Sequence, residues 1–211
     1  MTLTLCLHSS AGSPSVFLLS EKEIFLPTLA NGTGDPISGP SIAELVEDAL
    51  NVANISVRDV QRIAVDIGPG RLSAVRAAVA FTNAFAFGLG VPVLPIVSSV
   101  ALGILSERAS NSPAIVVHNS SGGTAFVARV HAGRLESLRH GPVIETIQES
   151  AAGLEGVVLV GAPASILKDV NVAEAVHPEI SAEIFRELIQ VGEFIEPPVH
   201  PITEQSDLID V

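Results

Sequence analysis

Hydrophobic residues recur along this chain with two different periods, and these periods predict short strands and longer helices. Apolar residues at every second position, or short apolar runs between turn-forming residues, predict strands. In the first half of the sequence the predicted strands cover residues 3–7, 15–19, 23–26, 63–67 and 93–97. In the second half they cover residues 114–118, 124–130, 134–138 and 157–160.

An amphipathic helix is predicted at residues 41–54. Ser41 and Glu44 form the S-x-x-E pattern of a capping box, and apolar residues then recur every three or four positions. The apolar stripe consists of Ile42, Leu45, Val46, Ala49 and Ala53. Two further helices are predicted at residues 98–108 and 178–190.

The segment 62–90 has a different pattern. Its strand ends in Gly68-Pro69-Gly70, and the helix that follows at residues 72–89 is apolar around most of its circumference. One buried face cannot account for such a helix. A second surface is therefore expected to cover it.

The Gly68-Pro69-Gly70 loop has two interpretations. With Arg71 and Arg76 beside the helix start it is a possible anion-binding loop, since unpaired N–H groups lie at a helix N-terminus. A strand-to-helix turn that passes close to a neighbouring backbone requires the same glycines, and the two arginines then pair with nearby acids. The sequence leaves both interpretations open.

Two lobes are predicted, at residues 1–108 and 109–211, with the boundary at the polar segment Ala-Ser-Asn-Ser-Pro. Each lobe opens with a three-strand meander, which resembles the duplicated α/β fold of actin-like (ribonuclease H-like) proteins. That fold implies a mixed sheet with flanking helices in each lobe. The tail after Gly192 is rich in proline and acid, and we expect it to be irregular.

Composition limits the classes of function. The net charge of -12 and the absence of tryptophan and tyrosine disfavour direct nucleic-acid binding. A single cysteine, Cys6, excludes a disulfide framework and predicts a reducing compartment. Because no basic secretory signal or uninterrupted membrane span is recognised, a cytoplasmic protein without membrane contact is expected.

Catalytic motifs are not found in the sequence. A P-loop, a nucleophile elbow and a G-x-G-x-x-G pattern are all missing, and no two of the six histidines have the spacing of a helical zinc site. We therefore predict no catalytic residue, no metal and no cofactor. His8 ends the first strand, where actin-like ATPases place the Asp that organises Mg-nucleotide, and imidazole is a poor ligand for that cation.

A family resemblance centres on residues 62–105. GPGRLSAVRAAVAFTNAFAFGLGVPVLPIVSSVALG is similar to the TsaB (YeaZ-like) signature, a GPG loop followed by an alanine-rich helix, a proline-flanked strand and Ser-Ser-Leu. The matching positions are Gly68, Pro69, Gly70, Arg76, Pro92, Ser98 and Ser99. The start of the chain, LTLCLHSSAGSPSVFLL, resembles the family's opening strands and turn, and VVLVGAPAS resembles a later strand and its glycine-containing turn. His8-Ser9-Ser10 replaces the usual Asp-Thr-Ser, and the closing Pro-x-Tyr-Leu-Arg is missing.

The resemblance implies a function. TsaB proteins are catalytically silent partners of the transferase TsaD in forming threonylcarbamoyladenosine in tRNA, and they pack their first two helices against TsaD or a second TsaB copy. Here these helices imply a heterodimer with a TsaD-like transferase or a homodimer, with tRNA contacted only indirectly. The implied interface residues are Ile42, Leu45, Val46, Ala49, Ala53, Val75, Val79, Thr82, Asn83 and Ala86.

Two other classes of function stay open. The chain is alternatively an actin-like phosphotransferase or a metallopeptidase, which a tight nucleotide site or stoichiometric zinc would favour. It is also compatible with a homodimeric scaffold that acts without TsaD.

Overall fold

A computed structural model describes residues 2–10, 14–29, 39–161, 174–176 and 179–203. Most of the glycine- and proline-rich loop 31–40, part of the turn 8–14, the end of the VVLVGAPAS motif, His177 and the tail beyond Thr203 lie outside the described residues.

The first unit contains residues Met1–Ile96 and Ser181–Pro201. Its strands are β1 (Thr4–His8), β2 (Ser15–Leu19), β3 (Ile24–Phe25), β4 (Arg62–Gly68) and β5 (Val93–Val97). Its helices are α1 (Ile42–Ala53), α2 (Leu72–Leu89) and α5 (Ala182–Val191). The sheet has the strand order β3-β2-β1-β4-β5. β1 is antiparallel to β2 and parallel to β4, so the sheet is mixed.

The second unit contains residues Val97–Ile180 and Ile202–Val211. Its strands are β6 (Ala114–Asn119), β7 (Thr124–His131), β8 (Arg134–Pro142), β9 (Val158–Val160) and β10 (Glu174–Val176). Its helices are α3 (Ser98–Ser110) and α4 (Val143–Ala151). The sheet order, read from its other edge, is β8-β7-β6-β9-β10, with β6 antiparallel to β7 and parallel to β9.

The two sheets have the same topology. In each, a three-strand antiparallel meander is followed by two more strands added beside the first strand of the meander. The predicted α/β fold, a duplicated actin-like arrangement with a mixed sheet and helices in each half, is confirmed. The units divide between Ile96 and Val97 rather than at residue 108, and α5 with the segment to Pro201 belongs to the first unit.

Local signals placed the helix starts. Ser41 caps α1 as predicted: its hydroxyl accepts from the Glu44 N–H at 3.2 Å, and the Glu44 carboxylate accepts from the Ser41 N–H at 2.7 Å. These hydrogen bonds hold the pKa of Glu44 below its usual value.

α4 and β10 were not predicted, because α4 has a polar sequence without a capping residue and β10 has only three residues.

Each unit has its own hydrophobic core. In the first unit, residues of β1, β2 and β4 pack against the inner faces of α1 and α2, with Leu5, Leu45 and Ile63 fully buried. In the second unit, a cluster around Ile115, Ile147 and Leu159 joins β6, β9 and α4.

α2 has the length and hydropathy of a membrane span, but one of its faces lies in the core of the first unit. This face of the helix is thus covered by the chain itself.

A buried hydroxyl on α2 allows a stability prediction. In the part of the chain that the structure describes, the Thr82 Oγ1 atom is buried and has no hydrogen-bond partner. Thr82→Val removes this unsatisfied group at nearly constant volume, so we expect the free energy of unfolding to rise by about 1 kcal/mol in urea titrations.

Thr146 provides the matched control, because its buried Oγ1 donates to the Pro142 carbonyl at 2.7 Å. Thr146→Val should therefore lower the stability by about the same amount. If both substitutions changed the free energy of unfolding by the same amount and in the same direction, the Thr82 hydroxyl would not be an unsatisfied group.

Candidate functional site

The Gly68-Pro69-Gly70 loop connects β4 to α2 and lies against the turn that follows β1. Gly68 has a φ of +96°, a conformation that favours glycine. A Cβ atom added to Gly70 would lie 2.4 Å from the Ser10 Cβ and 2.5 Å from the Ser10 Cα. The Arg71 N–H donates to the Ser10 carbonyl at 3.2 Å. The backbone conformation at Gly68 and the close approach at Gly70 thus explain why both positions are glycine. This favours the interpretation of the loop as a close strand-to-helix turn.

Substitution of Gly70 tests that close approach. We expect Gly70→Ala to destabilise the chain by roughly 1–3 kcal/mol, because the clash involves backbone atoms of Ser10 that cannot rotate away. Gly88 is the matched control: it lies in α2, and an added Cβ would meet nothing within 4 Å. Gly88→Ala should raise stability by about 0.5–1 kcal/mol, since alanine is the better helix former. Thermal and urea unfolding measure both changes, and a neutral Gly70→Ala would refute the steric argument.

Asp66 lies at the centre of a buried hydrogen-bond network beside this loop. Its Oδ2 atom accepts from the His8 Nδ1 at 2.8 Å, the Ser10 N–H at 2.9 Å and the Ser9 N–H at 3.4 Å. Its Oδ1 atom accepts from the Gly68 N–H at 2.8 Å. The Asp66 side chain therefore joins the end of β1 to the end of β4.

The network keeps Asp66 ionised in spite of its burial. Burial alone would raise the pKa of the Asp66 carboxyl, but the hydrogen bonds and the charge of His8, with the bonds from Ser10 and Gly68, hold the pKa below its usual value. An ionised carboxylate only accepts hydrogen bonds, so the His8 Nδ1 atom carries the proton in this pair.

His8 is not paired with a serine nucleophile. In the described residues the Ser9 hydroxyl is buried without a hydrogen-bond partner, while the His8 ring is bound to Asp66 and packs edge-on against Phe185 at 6.4 Å. His8 and Ser9 are thus neighbours in sequence without the geometry of a nucleophile and its base. Arg71 and Arg76, the predicted anion ligands, are both exposed.

The structure places most of the predicted interface residues inside the first unit. Seven of the ten side chains are buried: Leu45, Val46, Ala49, Val75, Val79, Thr82 and Ala86. Ile42 and Ala53 are half-buried and pack against the same core. Asn83 is half-buried and binds the backbone of Val199. These side chains pack within the first unit, so a partner would have to contact other, exposed residues of the same helices.

The opposite face of α2 is exposed and almost free of charge. Its side chains are small, and we call it the small-residue face: Ser73, Ala77, Ala80, Ala84 and Gly88. Two large apolar residues flank this face, Leu72 at 41% exposure and Phe87 at 84% exposure. The expectation that one core cannot cover the whole helix thus agrees with the structure.

A groove next to this face separates α1 from α2. It has a volume of about 340 Å³ and is mainly apolar. Its walls include Val46, Glu47 and Leu50 of α1 and Phe81 and Phe85 of α2. The two phenylalanine rings stack with their centroids 5.2 Å apart. The groove and the small-residue face form a continuous, weakly charged surface of the first unit.

Comparison with known families decides the identity of the chain. The family model described as TsaD, tRNA N6-adenosine threonylcarbamoyltransferase, matches residues 40–190. The chain belongs to this family. A tRNA N6-adenosine threonylcarbamoyltransferase of Geotalea uraniireducens (strain Rf4) is 33% identical over 100 residues, which are 46% of this chain and 29% of that protein. The chain spans about a third of the length of the curated relatives it matches.

Solved structures show the same fold over nearly the whole chain. A Pseudomonas aeruginosa protein described by its similarity to the peptidase YEAZ has a TM-score of 0.71 at 20% identity, covering 96% of this chain and 99% of that protein. YeaZ from Pseudomonas aeruginosa has a TM-score of 0.69 at 19% identity, covering 93% and 96%. The YeaZ-like fold implied by the resemblance is confirmed, and the family model over residues 40–190 supports the resemblance.

The sequence motif of residues 62–105 continues into α3, at the start of the second unit. Ser98 and Ser99 are fully buried at the first turn of this helix. The Ser99 hydroxyl and the His118 Nε2 atom are 3.1 Å apart. Because Ser99 is inaccessible, this pair stabilises the α3–β6 packing rather than offering a nucleophile. Within the described ranges, no group of three or more metal-ligating side chains occurs.

Proposed function

We propose that this chain is a non-catalytic subunit that binds a TsaD-type transferase and supports threonylcarbamoyl transfer to adenosine in tRNA. The observation that carries the proposal is the exposed small-residue face of α2 with the adjoining groove, on a member of the TsaD family with a YeaZ-like fold. A long helix whose exposed side consists mostly of small and apolar side chains, with Arg76 as its charged residue, favours a partner in water. Transfer chemistry is assigned to the partner.

The side chains of this surface indicate what the partner presents. Small residues at Ala77, Ala80 and Ala84 let a second helix approach closely, as in ridges-into-grooves packing. The groove beside them accepts a large apolar side chain between Leu50 and Phe85. The partner therefore presents a helix with an apolar anchor, and the pairing resembles a helical bundle.

The loop beside α2 agrees with a silent subunit. The Arg71 amide at the start of α2 is bonded to Ser10, and Gly70 lies against the Ser10 backbone. Asp66 is saturated by four donors. These groups are committed to the fold, which supports a binding role over phosphotransfer.

The direct test uses the chain and TsaD from the same host. Light scattering after size exclusion should show a complex of one chain with one TsaD, and calorimetry should give its affinity. Deletion of the gene should lower threonylcarbamoyladenosine in tRNA, measured by mass spectrometry. Failure to form a complex together with unchanged tRNA would overturn the proposal.

A homodimer is the second candidate, because the same face can pair with its own copy across a two-fold axis. Light scattering of the chain alone separates the two candidates. A dimer that persists when TsaD is added favours a self-contained scaffold, and a dimer that exchanges for the heterodimer favours the transferase subunit.

A further inference from the structure

The segment after α5 returns along the first unit and binds two of its elements. Ile195 pairs with Val93 in β5 through two reciprocal backbone hydrogen bonds of 2.8 Å. Phe194 lies under the Arg62 guanidinium, 4.7 Å from its ring centroid. Residues 193–201, which we call the strap, therefore add a short antiparallel contact to the sheet beside β5.

The strap also binds α2 through one side chain. The Asn83 Nδ2 atom donates to the Val199 carbonyl at 2.9 Å, and the Asn83 Oδ1 atom accepts from the Val199 N–H at 2.9 Å. The carboxamide thus pairs with a backbone unit as a neighbouring strand would. Val199 is 3% exposed and belongs to the same core as Val75 and Val79.

Four consecutive residues of α2 show what this contact does. Successive residues are turned by about 100° around a helix. Thr82 faces the core, Asn83 faces the strap, Ala84 faces solvent and Phe85 faces the groove beside α1. The strap thus contacts α2 on one side of the small-residue face, and the groove toward α1 lies on its other side. The contact of Asn83 with Val199 therefore constrains the rotation of α2 in addition to the packing of its buried face in the core.

We propose that the strap is a latch that sets the rotation of α2 and so controls docking at the small-residue face. This inference rests on the proposed function, because it concerns the same surface. With the latch closed, the face is preorganised for a partner helix. With it open, α2 samples other rotations, and the apparent affinity falls with the closed fraction.

Asn83→Leu tests the latch in the full-length chain. Leucine keeps the branched shape and the number of side-chain heavy atoms but removes both hydrogen bonds to Val199. Hydrogen exchange without a partner should show at least tenfold faster exchange at the amides of Ile195 and Val199, faster exchange in α2, and unchanged protection in β1 and β4. The affinity for TsaD should fall about tenfold. Asn119→Leu, at an exposed asparagine at the end of β6, should change neither measurement.

A second variant acts on the other contact. Ile195→Pro removes the N–H that donates to Val93 and should release the strap without altering α2. The latch proposal would be wrong if the strap were released while hydrogen exchange in α2, or the affinity for TsaD, stayed unchanged. Loss of protection in β1 and β4 would also overturn it, since the strap would then be part of the folding core. Failure of the unaltered chain to bind TsaD contradicts the proposed function instead, and the exchange data still decide the latch.

Discussion

Replacing Asp66 with alanine is expected to lower the free energy of unfolding by roughly 3–5 kcal/mol. The substitution leaves four buried donors without their acceptor, namely the His8 ring N–H and the backbone N–H groups of Ser9, Ser10 and Gly68. Removing one partner of a buried charged network costs the full desolvation of the groups that stay behind. Urea unfolding of the two purified proteins measures the difference.

Asp48 is the matched control. It also accepts several hydrogen bonds, from the Thr28 hydroxyl and the Leu29 N–H, but it does so at the surface where water replaces them. Asp48→Ala should therefore have a much smaller effect than Asp66→Ala. Similar losses at the two positions would show that burial of the Asp66 network does not matter.

The same network predicts a pH dependence. Because the pKa of Asp66 is lowered in the folded state, its contribution to stability is present above the unfolded-state pKa and is lost as the pH falls through the folded-state pKa. On acidification the unaltered chain should therefore lose the stability that depends on ionised Asp66. Asp66→Ala lacks this contribution at every pH. The gap between the two unfolding free energies should narrow at acidic pH, and a constant gap would contradict the assignment.

Ala84→Arg is expected to weaken binding to TsaD by about 100-fold, equal to roughly 3 kcal/mol. Ala84 is exposed in the middle of the small-residue face, so the long side chain finds space in the free protein. In the complex it would hold two helices apart and bury a charge without a partner. Calorimetry or surface-based binding measures the change, and the unfolding free energy should stay within about 0.5 kcal/mol of the unaltered chain.

Ala109→Arg introduces the same side chain at an exposed alanine of α3, in the second unit. It should leave binding unchanged and so controls for the added charge. If Ala84→Arg binds TsaD as tightly as the unaltered chain, the small-residue face is not the docking surface. An unaltered affinity combined with loss of homodimer would assign the face to self-association instead.

The apolar side chains of α2 are covered on several sides by the rest of the first unit. The core covers one face of the helix, the strap binds one flank, and the groove toward α1 borders the other flank. The remaining face is mostly alanine, which presents less apolar area than leucine or phenylalanine would. Leu72 and Phe87 are the exceptions, and the greater exposure of Phe87 makes it a candidate anchor for the partner.

Sequence periodicity alone was enough to predict most of the helices and strands, because apolar residues recur every second position in strands and every three or four positions in helices. α2 begins and ends at Leu72 and Leu89, as predicted from the Gly-Pro-Gly loop and Gly90. The Ser41 and Glu44 capping box was also visible, since its hydrogen bonds join residues three apart. The repeated meander was enough to predict the duplicated fold, and the loop signature was enough to predict the family.

Only the tertiary structure decided which residues carry the candidate site. Asp66 and His8 are 58 residues apart, and Asn83 and Val199 are 116 residues apart, so no local pattern links them. α2 is apolar on several sides, and periodicity therefore could not tell its core face from its outer face. The structure buries Val75, Ala78, Val79 and Ala86 and leaves Ala77, Ala80 and Ala84 exposed, so alanine occurs on both faces and only the packing against the core separates them.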